Sequence, residues 1–417
     1  MTEAESLQRA ISSSNSSAPQ CPTKEKDRLV NLDIIRGVAL LGILIMNIQS
    51  FSMIVAAYAN PLSFGDFSGS NQSVYYFSHL FADQKFMSIF AALFGVGILL
   101  MASSLDKKGF NTKKLHYRRM IILAIFGLMH SYLFWYGDIL FAYAITGMVI
   151  FSMRHKSPRF LLVSAFLALL LNAVIFYLPS AALPYMNESD LKELMTDWLP
   201  SQALIDAEVS ANQASWLGQM AHRHTMANEM LLNVAAYFLR ILGLMMVGMA
   251  LFKINFFSNR FSNRSLLLQG FVCLALGSIL IVGRLDSNIA DGFPIDNILA
   301  QENYWGSLLL AYCYLCLLVL FCRLNIFANA KHALASVGRM ALTNYLSQTL
   351  ICTFIFYGWG LGKFGTVDRK DQLLIVIIIW IVQLLFSTTW MKRFKFGPFE
   401  WLWRSLTYGA RQPLRKS

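Results

Sequence analysis

Charge is what this chain is short of. Asp, Glu, Lys and Arg make up 14% of its 417 residues, against 56% hydrophobic, where a soluble domain carries about 25% charged residues. A water-facing globular enzyme is excluded on that ground. Acids are scarcer still than bases, 23 against 35, for a net charge of +12. Cysteine offers no framework: Cys21, Cys273, Cys313, Cys316, Cys322 and Cys352 fall in the N-terminal stretch or inside apolar runs, so no disulfide scaffold is indicated. Cys313 and Cys316 form a CxxC within an apolar helix, which reads as core packing rather than a metal site. Residues 1–27 lack the apolar core of a cleavable signal and read as a disordered cytoplasmic tail. No internal repeat is visible, which weighs against an inverted-repeat transporter.

What the chain has in abundance is apolar runs of about 20 residues, the length that crosses a hydrocarbon core. About ten such spans are predicted, over roughly 34–56, 85–104, 119–136, 138–153, 160–178, 234–252, 265–283, 305–322, 337–357 and 372–391. The fold class is therefore an all-α polytopic membrane protein, a bundle of about ten transmembrane helices. With the N-terminus placed in the cytoplasm, about 27 of the 35 Lys and Arg fall inside and about 8 outside, while the acids split about 7 to 16. That bias predicts cytoplasmic N- and C-termini and an even number of spans. The basic residues are spread over several short inner loops, which argues against nucleic acid as a partner and leaves membrane lipid. Residues 28–409 form the transmembrane domain and 410–417 a basic C-terminal tail. An outer segment, 180–233, with helix-compatible stretches at 188–198 and 202–230, is too short for an enzyme domain and suits a helical cap.

Polar groups inside the spans carry the functional signal. Arg28 to Asn47 opens with Asp33 and Arg36 and buries Asn47 about three turns deeper. Arg36 and Asn47 are eleven positions apart, hence on one helical face with a rise of about 16 Å. The third span repeats this spacing with Arg119 and His130. The ninth offers Arg339, Thr343, Asn344, Ser347 and Gln348 as one polar stripe. Intramembrane polar groups of this kind line a cavity or pathway, although Asn and Gln also serve simply to bridge helices, rim arginines to anchor a span, and Asp33 with Arg36 to form an i,i+3 ion pair. His130 is the only histidine expected well inside a span, and an imidazole takes and returns a proton near neutral pH. Asp138 caps the fourth span or meets an outward-facing substrate. His222, His224 and Glu229 are thin support for a metal, and none is assigned. After the last span, Phe396 to Gly409 interleaves aromatics with Arg404, either as an interfacial anchor or folded back under the inner mouth with Arg404 facing an anion.

These motifs resemble, nearly end to end, the YeiB-like family, the membrane proteins carrying domain of unknown function 418. The resemblance rests on Asn31-Leu32-Asp33-Ile34-Ile35-Arg36-Gly37 with Asn47, on Lys85 to Gly95, and on Gly127 to His130 with Gly137-Asp138-Ile139-Leu140 and Tyr143. It continues through Gly338 to Gln348 and Gly397 to Arg404. The opening motif is also similar to that of the transmembrane acyltransferase superfamily, which includes bacterial glycan O-acyltransferases and the lysosomal heparan-glucosaminide N-acetyltransferase. The former carry a histidine at the position of Asn47, whereas the lysosomal type has Asn there and its working histidine elsewhere. Asn cannot act as a base, so the burden passes to His130.

The leading expectation is a membrane acyltransferase that moves an acyl group, acetyl being the first choice, from cytoplasmic acyl-CoA to an extracytoplasmic glycan or small-molecule acceptor. His130 would be the base, Asn47 the carbonyl-polarising donor and Asp138 the residue that meets the acceptor. Arg36, Arg119, Arg339 and Arg404 would hold the CoA phosphates, and Asp33, Asn344 and Gln348 would line the channel. The competing expectations are a permease for a small anionic solute, with His130 coupling protons, and a non-catalytic membrane scaffold; oligomer formation is compatible with each.

Overall fold

A computed structural model describes residues 30–258, 260–295 and 301–416, so the N-terminal tail expected over 1–27 lies outside the described residues. The elements in chain order are α1 (Val30–Ser52), α2 (Gly69–Phe81), α3 (Lys85–Lys107), α4 (Thr112–Leu133), α5 (Leu140–Ile150), α6 (Pro158–Ala182), α7 (Glu188–Trp198), α8 (Gln202–Asn212), α9 (Met220–Lys253), α10 (Asn263–Ala290), α11 (Gln301–Arg323), α12 (Ala328–Arg339), α13 (Ala341–Phe356), α14 (Arg369–Arg393) and α15 (Pro398–Tyr408). No strand occurs among the described residues beyond an isolated antiparallel bridge between Phe394 and Arg415.

Among the described residues, seven helices are long and apolar enough to cross a membrane, against the ten spans expected. Helices do lie at all ten places. The three that fall short are α4, whose first turns carry Lys113, Lys114, Arg118 and Arg119, and the short α5 and α13. The span expected to run unbroken over 337–357 is interrupted at Met340, so Arg339 ends α12 while Asn344 belongs to α13. The helix expected over 202–230 is likewise two pieces, α8 and the start of α9, which continues into the bilayer.

Burial sorts the bundle. The apolar window of α1 is 67% buried, whereas those of α10 and α14 are each 22% buried. Helix α1 is the central rod, packed against α3, α11, α12, α13 and α14. Helices α10 and α14 turn Phe271, Ile279, Ile378 and Leu385 outward, which apolar lipid tolerates. Two seams of small residues set the closest crossings. A Cβ on Gly338 would lie 1.9 Å from the Asp33 carbonyl oxygen, and one on Gly37 would lie 2.1 Å from that of Leu334. In the second seam, Gly95 and Gly248 bring α3 and α9 together, with Cβ positions 2.3 Å from the Met245 oxygen and 1.9 Å from the Ala92 oxygen. Lipid supplies no hydrophobic drive for helix association, so backbone proximity of this kind carries much of the packing.

The segment holding α7 and α8 lies across one end of the bundle. Asn60 Nδ2 donates to the Trp198 carbonyl (3.1 Å), Val55 N to Glu208 Oε1 (2.9 Å), Gly358 N to the Asn212 carbonyl (3.0 Å) and Trp216 Nε1 to that of Leu133 (3.0 Å). Burial pushes the Glu208 carboxyl above its usual range, opposed by the Val55 N–H. At the other end, residues 410–416 fold back rather than trail: Lys395 N donates to the Leu414 carbonyl (2.8 Å) and Trp401 Nε1 to that of Gln412 (2.7 Å).

The Gly37–Gly338 crossing has no room for a methyl group because the obstructing atoms are backbone. Gly338→Ala is expected to cost about 1–3 kcal/mol, read as a lower melting midpoint in detergent. Alanine at Gly283, where a Cβ meets nothing within 4 Å, is the control expected to leave the midpoint unchanged.

Candidate functional site

The α4–α5 hairpin builds the polar centre. Gly127 lets α5 approach α4, since a Cβ there would sit 2.4 Å from Phe141 N and 2.7 Å from Asp138 Oδ2. Asp138 then divides its carboxylate. Oδ2 accepts the Phe141 N–H (2.8 Å), capping the start of α5, and Oδ1 pairs with His130 Nδ1 at 2.9 Å. Asp138 thus caps α5, as one of the two expectations had it, and its other oxygen holds the histidine, a role the sequence did not suggest. With Nδ1 carrying the proton, as a carboxylate partner requires, Nε2 is left as an acceptor and takes the Thr349 hydroxyl at 2.9 Å. His130 and Thr349 are 3% and 1% exposed. An acid orients an imidazole whose free nitrogen meets a hydroxyl, the order of groups used to move a proton on and off a reacting atom.

Aromatic rings enclose this network. The Tyr345 ring lies 5.2 Å from His130 and that of Trp135 6.3 Å away, and Phe51 of α1 stacks on Trp135 at 3.9 Å. Asn47 stands one turn before Phe51 on the same face of α1, half-buried. No hydrogen bond joins it to His130 or to Asn344.

Asn344 and Gln348 face elsewhere. Asn344 Nδ2 donates to Ser387 Oγ (2.9 Å) and to the Val337 carbonyl (3.2 Å), and Gln348 Nε2 donates to Gln383 Oε1 (3.0 Å). Four residues apart, they share the side of α13 that meets α14, whereas Tyr345 and Thr349 share the side that meets His130. The expectation that Asn344 and Gln348 line the channel is therefore corrected: both take the alternative role and bridge helices. Thr349 takes the place next to His130, and its i,i+4 spacing from Tyr345 was the available signal.

The arginines gather at the opposite end of α4. Arg36 pairs with Asp33 at 3.1 Å, so Asp33 serves as its counter-ion at the rim. Arg119 lies over the Trp403 ring at 4.0 Å, and Trp403 Nε1 donates to the Arg119 carbonyl (2.9 Å). Arg404 covers Phe396 at 4.5 Å, and Arg339 Nη2 reaches the neighbouring Lys395 carbonyl at 3.5 Å. Arg404 and Arg36 both lie within electrostatic range of Arg119. The fold thus collects at one rim the four arginines singled out from three different spans and the C-terminal motif.

Glu400 explains the rest of that motif. Its carboxylate accepts Leu342 N (2.6 Å), Thr343 N (3.1 Å) and Thr343 Oγ1 (2.5 Å), capping α13 where the chain breaks. Burial raises the Glu400 pKa and these donors oppose the rise. Gly397 is required because a Cβ would sit 2.2 Å from Glu400 Oε2. His116 is also fully buried, with Nε2 on the Gly147 carbonyl at 2.9 Å, so His130 is not alone inside the helices. Among the described residues, no three His, Cys, Asp or Glu converge as metal ligands.

These features define a polytopic α-helical membrane protein with a buried Asp–His–Thr network and an arginine-lined rim. A family model described as "Protein of unknown function (DUF418)" matches residues 250–410. The chain is 32% identical over 405 residues to the uncharacterized protein YeiB of Escherichia coli (strain K12), covering 93% of this chain and 98% of that one. It is 30% identical over 410 residues to the uncharacterized protein YxaH of Bacillus subtilis (strain 168), covering 95% and 98%. The chain belongs to this YeiB-like DUF418 family. No solved structure matches it.

Glu400→Ala leaves two backbone N–H groups and a hydroxyl without an acceptor and is expected to cost about 1–3 kcal/mol. Glu400→Gln keeps one acceptor oxygen and should cost less; the two melting midpoints in detergent check the order.

Proposed function

We propose that the protein is a bacterial cytoplasmic-membrane acyltransferase that takes its acyl group from cytoplasmic acyl-CoA and delivers it to a hydroxyl or amine on an extracytoplasmic glycan or small molecule. The Asp138–His130–Thr349 network carries this reading. It lies on the same helix as Arg119 and about 16 Å from it, a separation of the kind an extended pantetheine arm covers between its phosphates and its thioester.

In this mechanism Arg36, Arg119, Arg339 and Arg404 bind the CoA phosphates through charge-assisted hydrogen bonds. The acceptor gives its proton to Thr349 Oγ1 as the Thr349 proton passes to His130 Nε2. The acceptor oxygen or nitrogen bonds to the acyl carbon, the carbon–sulfur bond breaks, and the departing thiolate recovers the proton from the imidazolium by the reverse path. Asp138 stabilises the imidazolium while it exists. Asn47 donates its amide N–H to the thioester oxygen as negative charge grows there.

Acyl-CoA binding to the purified protein in detergent tests the donor site. Arg36→Ala should weaken binding about tenfold or more, while His130→Ala and Thr349→Val should bind normally and lose transfer. If no acyl-CoA species binds saturably, the acyltransferase reading falls and the anion permease replaces it. Orientation is tested separately on a cysteine-free background. Asn187→Cys should react with an impermeant maleimide in intact cells and Phe110→Cys only after permeabilisation; the reverse would place the arginine rim away from cytoplasmic CoA.

A further inference from the structure

A second polar site stands apart from the hairpin. A cavity of about 390 Å³ opens among α2, α7, α9, α10 and α11, walled by Tyr75, Trp198, Tyr237 and Phe293 and reached by Arg240 and Arg284. It shares no helix with Asp138, His130 and Thr349.

Its two arginines are unusual in what they leave unmade. Arg240 is 3% exposed. It donates from Nη2 to Ser307 Oγ at 3.1 Å and lies over the Tyr304 ring at 4.2 Å, yet its buried Nη1 has no partner. The buried Nε of Arg284 also has none. Buried guanidinium N–H groups without an acceptor are costly, and a positive charge in a low-dielectric wall attracts an anion.

The acid nearest at hand is already engaged. Asp83 accepts from Tyr58 OH (2.9 Å) and Asn303 Nδ2 (2.5 Å), and Asn303 Oδ1 in turn accepts from Lys85 Nζ (3.1 Å). Asp83 and Lys85 balance each other through Asn303, which leaves the two arginines as surplus positive charge. Asn288, also on the wall, carries a buried Oδ1 without a donor. Together these groups ask for a ligand with an oxyanion for the arginines, a flat body for the aromatic walls and a hydrogen-bond donor for Asn288.

We infer that this cavity is a binding site for a small organic anion, a carboxylate or phosphate carried on a ring, separate from the acyl-CoA rim. Nothing in it depends on acyl transfer, so the two readings fail independently.

Binding of benzoate and of glucose 6-phosphate to the full-length protein in detergent, measured by calorimetry, tests it, with neutral benzamide as control. At least one of the two anions should bind saturably where benzamide does not. Arg284→Gln should weaken that binding about tenfold, the worth of one charge-assisted hydrogen bond. Arg284 makes no hydrogen bond among the described residues, so this variant should keep the melting midpoint of the ligand-free wild type. Arg240→Lys, which keeps the charge but loses the planar fork, should weaken binding too, and His130→Ala should leave it unchanged. Failure of both anions to bind would overturn the proposal and mark the cavity as a hydrated vestibule. Binding unaltered in Arg284→Gln would overturn it by placing the anion elsewhere, and loss of binding in His130→Ala would overturn the separation of the two sites.

Discussion

A helix that breaks inside packed protein frees N–H and C=O groups that must find new partners, and the break between α12 and α13 is answered from both sides. Glu400 takes the N–H groups of Leu342 and Thr343, and the Asn344 side chain takes the Val337 carbonyl. Much follows from that exchange. Glu400 can reach only because Gly397 and Pro398 start α15 at this level, and α15 then brings Trp403 and Arg404 to the rim. The chain beyond α15 is fastened beneath it by the Phe394–Arg415 bridge. On its other side, α13 is turned so that Tyr345 and Thr349 face His130.

The polar centre obeys the same constraint. Asp138 uses both oxygens, His130 both nitrogens and Thr349 its hydroxyl. A network with every member satisfied holds one arrangement, whereas a partly satisfied one at this depth would be costly. The glycines that recur beside these residues have a common purpose. Gly127 admits Asp138 to α4, and Gly37 and Gly338 let α1 and α12 touch backbone to backbone. Asp138, Arg36 and Arg339 each stand next to a place where a side chain has been dispensed with.

Much of this was legible in the sequence because hydropathy and charge are local. The apolar runs located helices at all ten expected places, seven of them among the described residues long and apolar enough to cross a membrane, and the eleven-residue spacing of Arg119 and His130 holds because α4 is continuous. What local pattern does not carry is the partner across space. Asp138 is eight residues from His130, yet only the turn at Trp135–Gly137 brings them together. The stripe from Arg339 to Gln348 was visible, but its division between two helices and two faces depends on Glu400, a residue more than fifty positions away. The cavity around Arg240 and Arg284 left no pattern at all: single arginines near span ends read as interfacial anchors, and the four aromatic walls come from three helices and the turn after α10.

Helix α4 carries Arg119 near one end and His130 near the other, and it is a single unbroken rod. Its arginine end is held by the stacking of Arg119 on Trp403, by the Trp403 bond to the Arg119 carbonyl and by the His116 bond to the Gly147 carbonyl. Its histidine end is held by the hydrogen bonds to Asp138 and Thr349. With both ends tied into the bundle, α4 works as a ruler. The distance between the rim and the imidazole is thus set by the rise of one helix, with no loop between them whose conformation could change it.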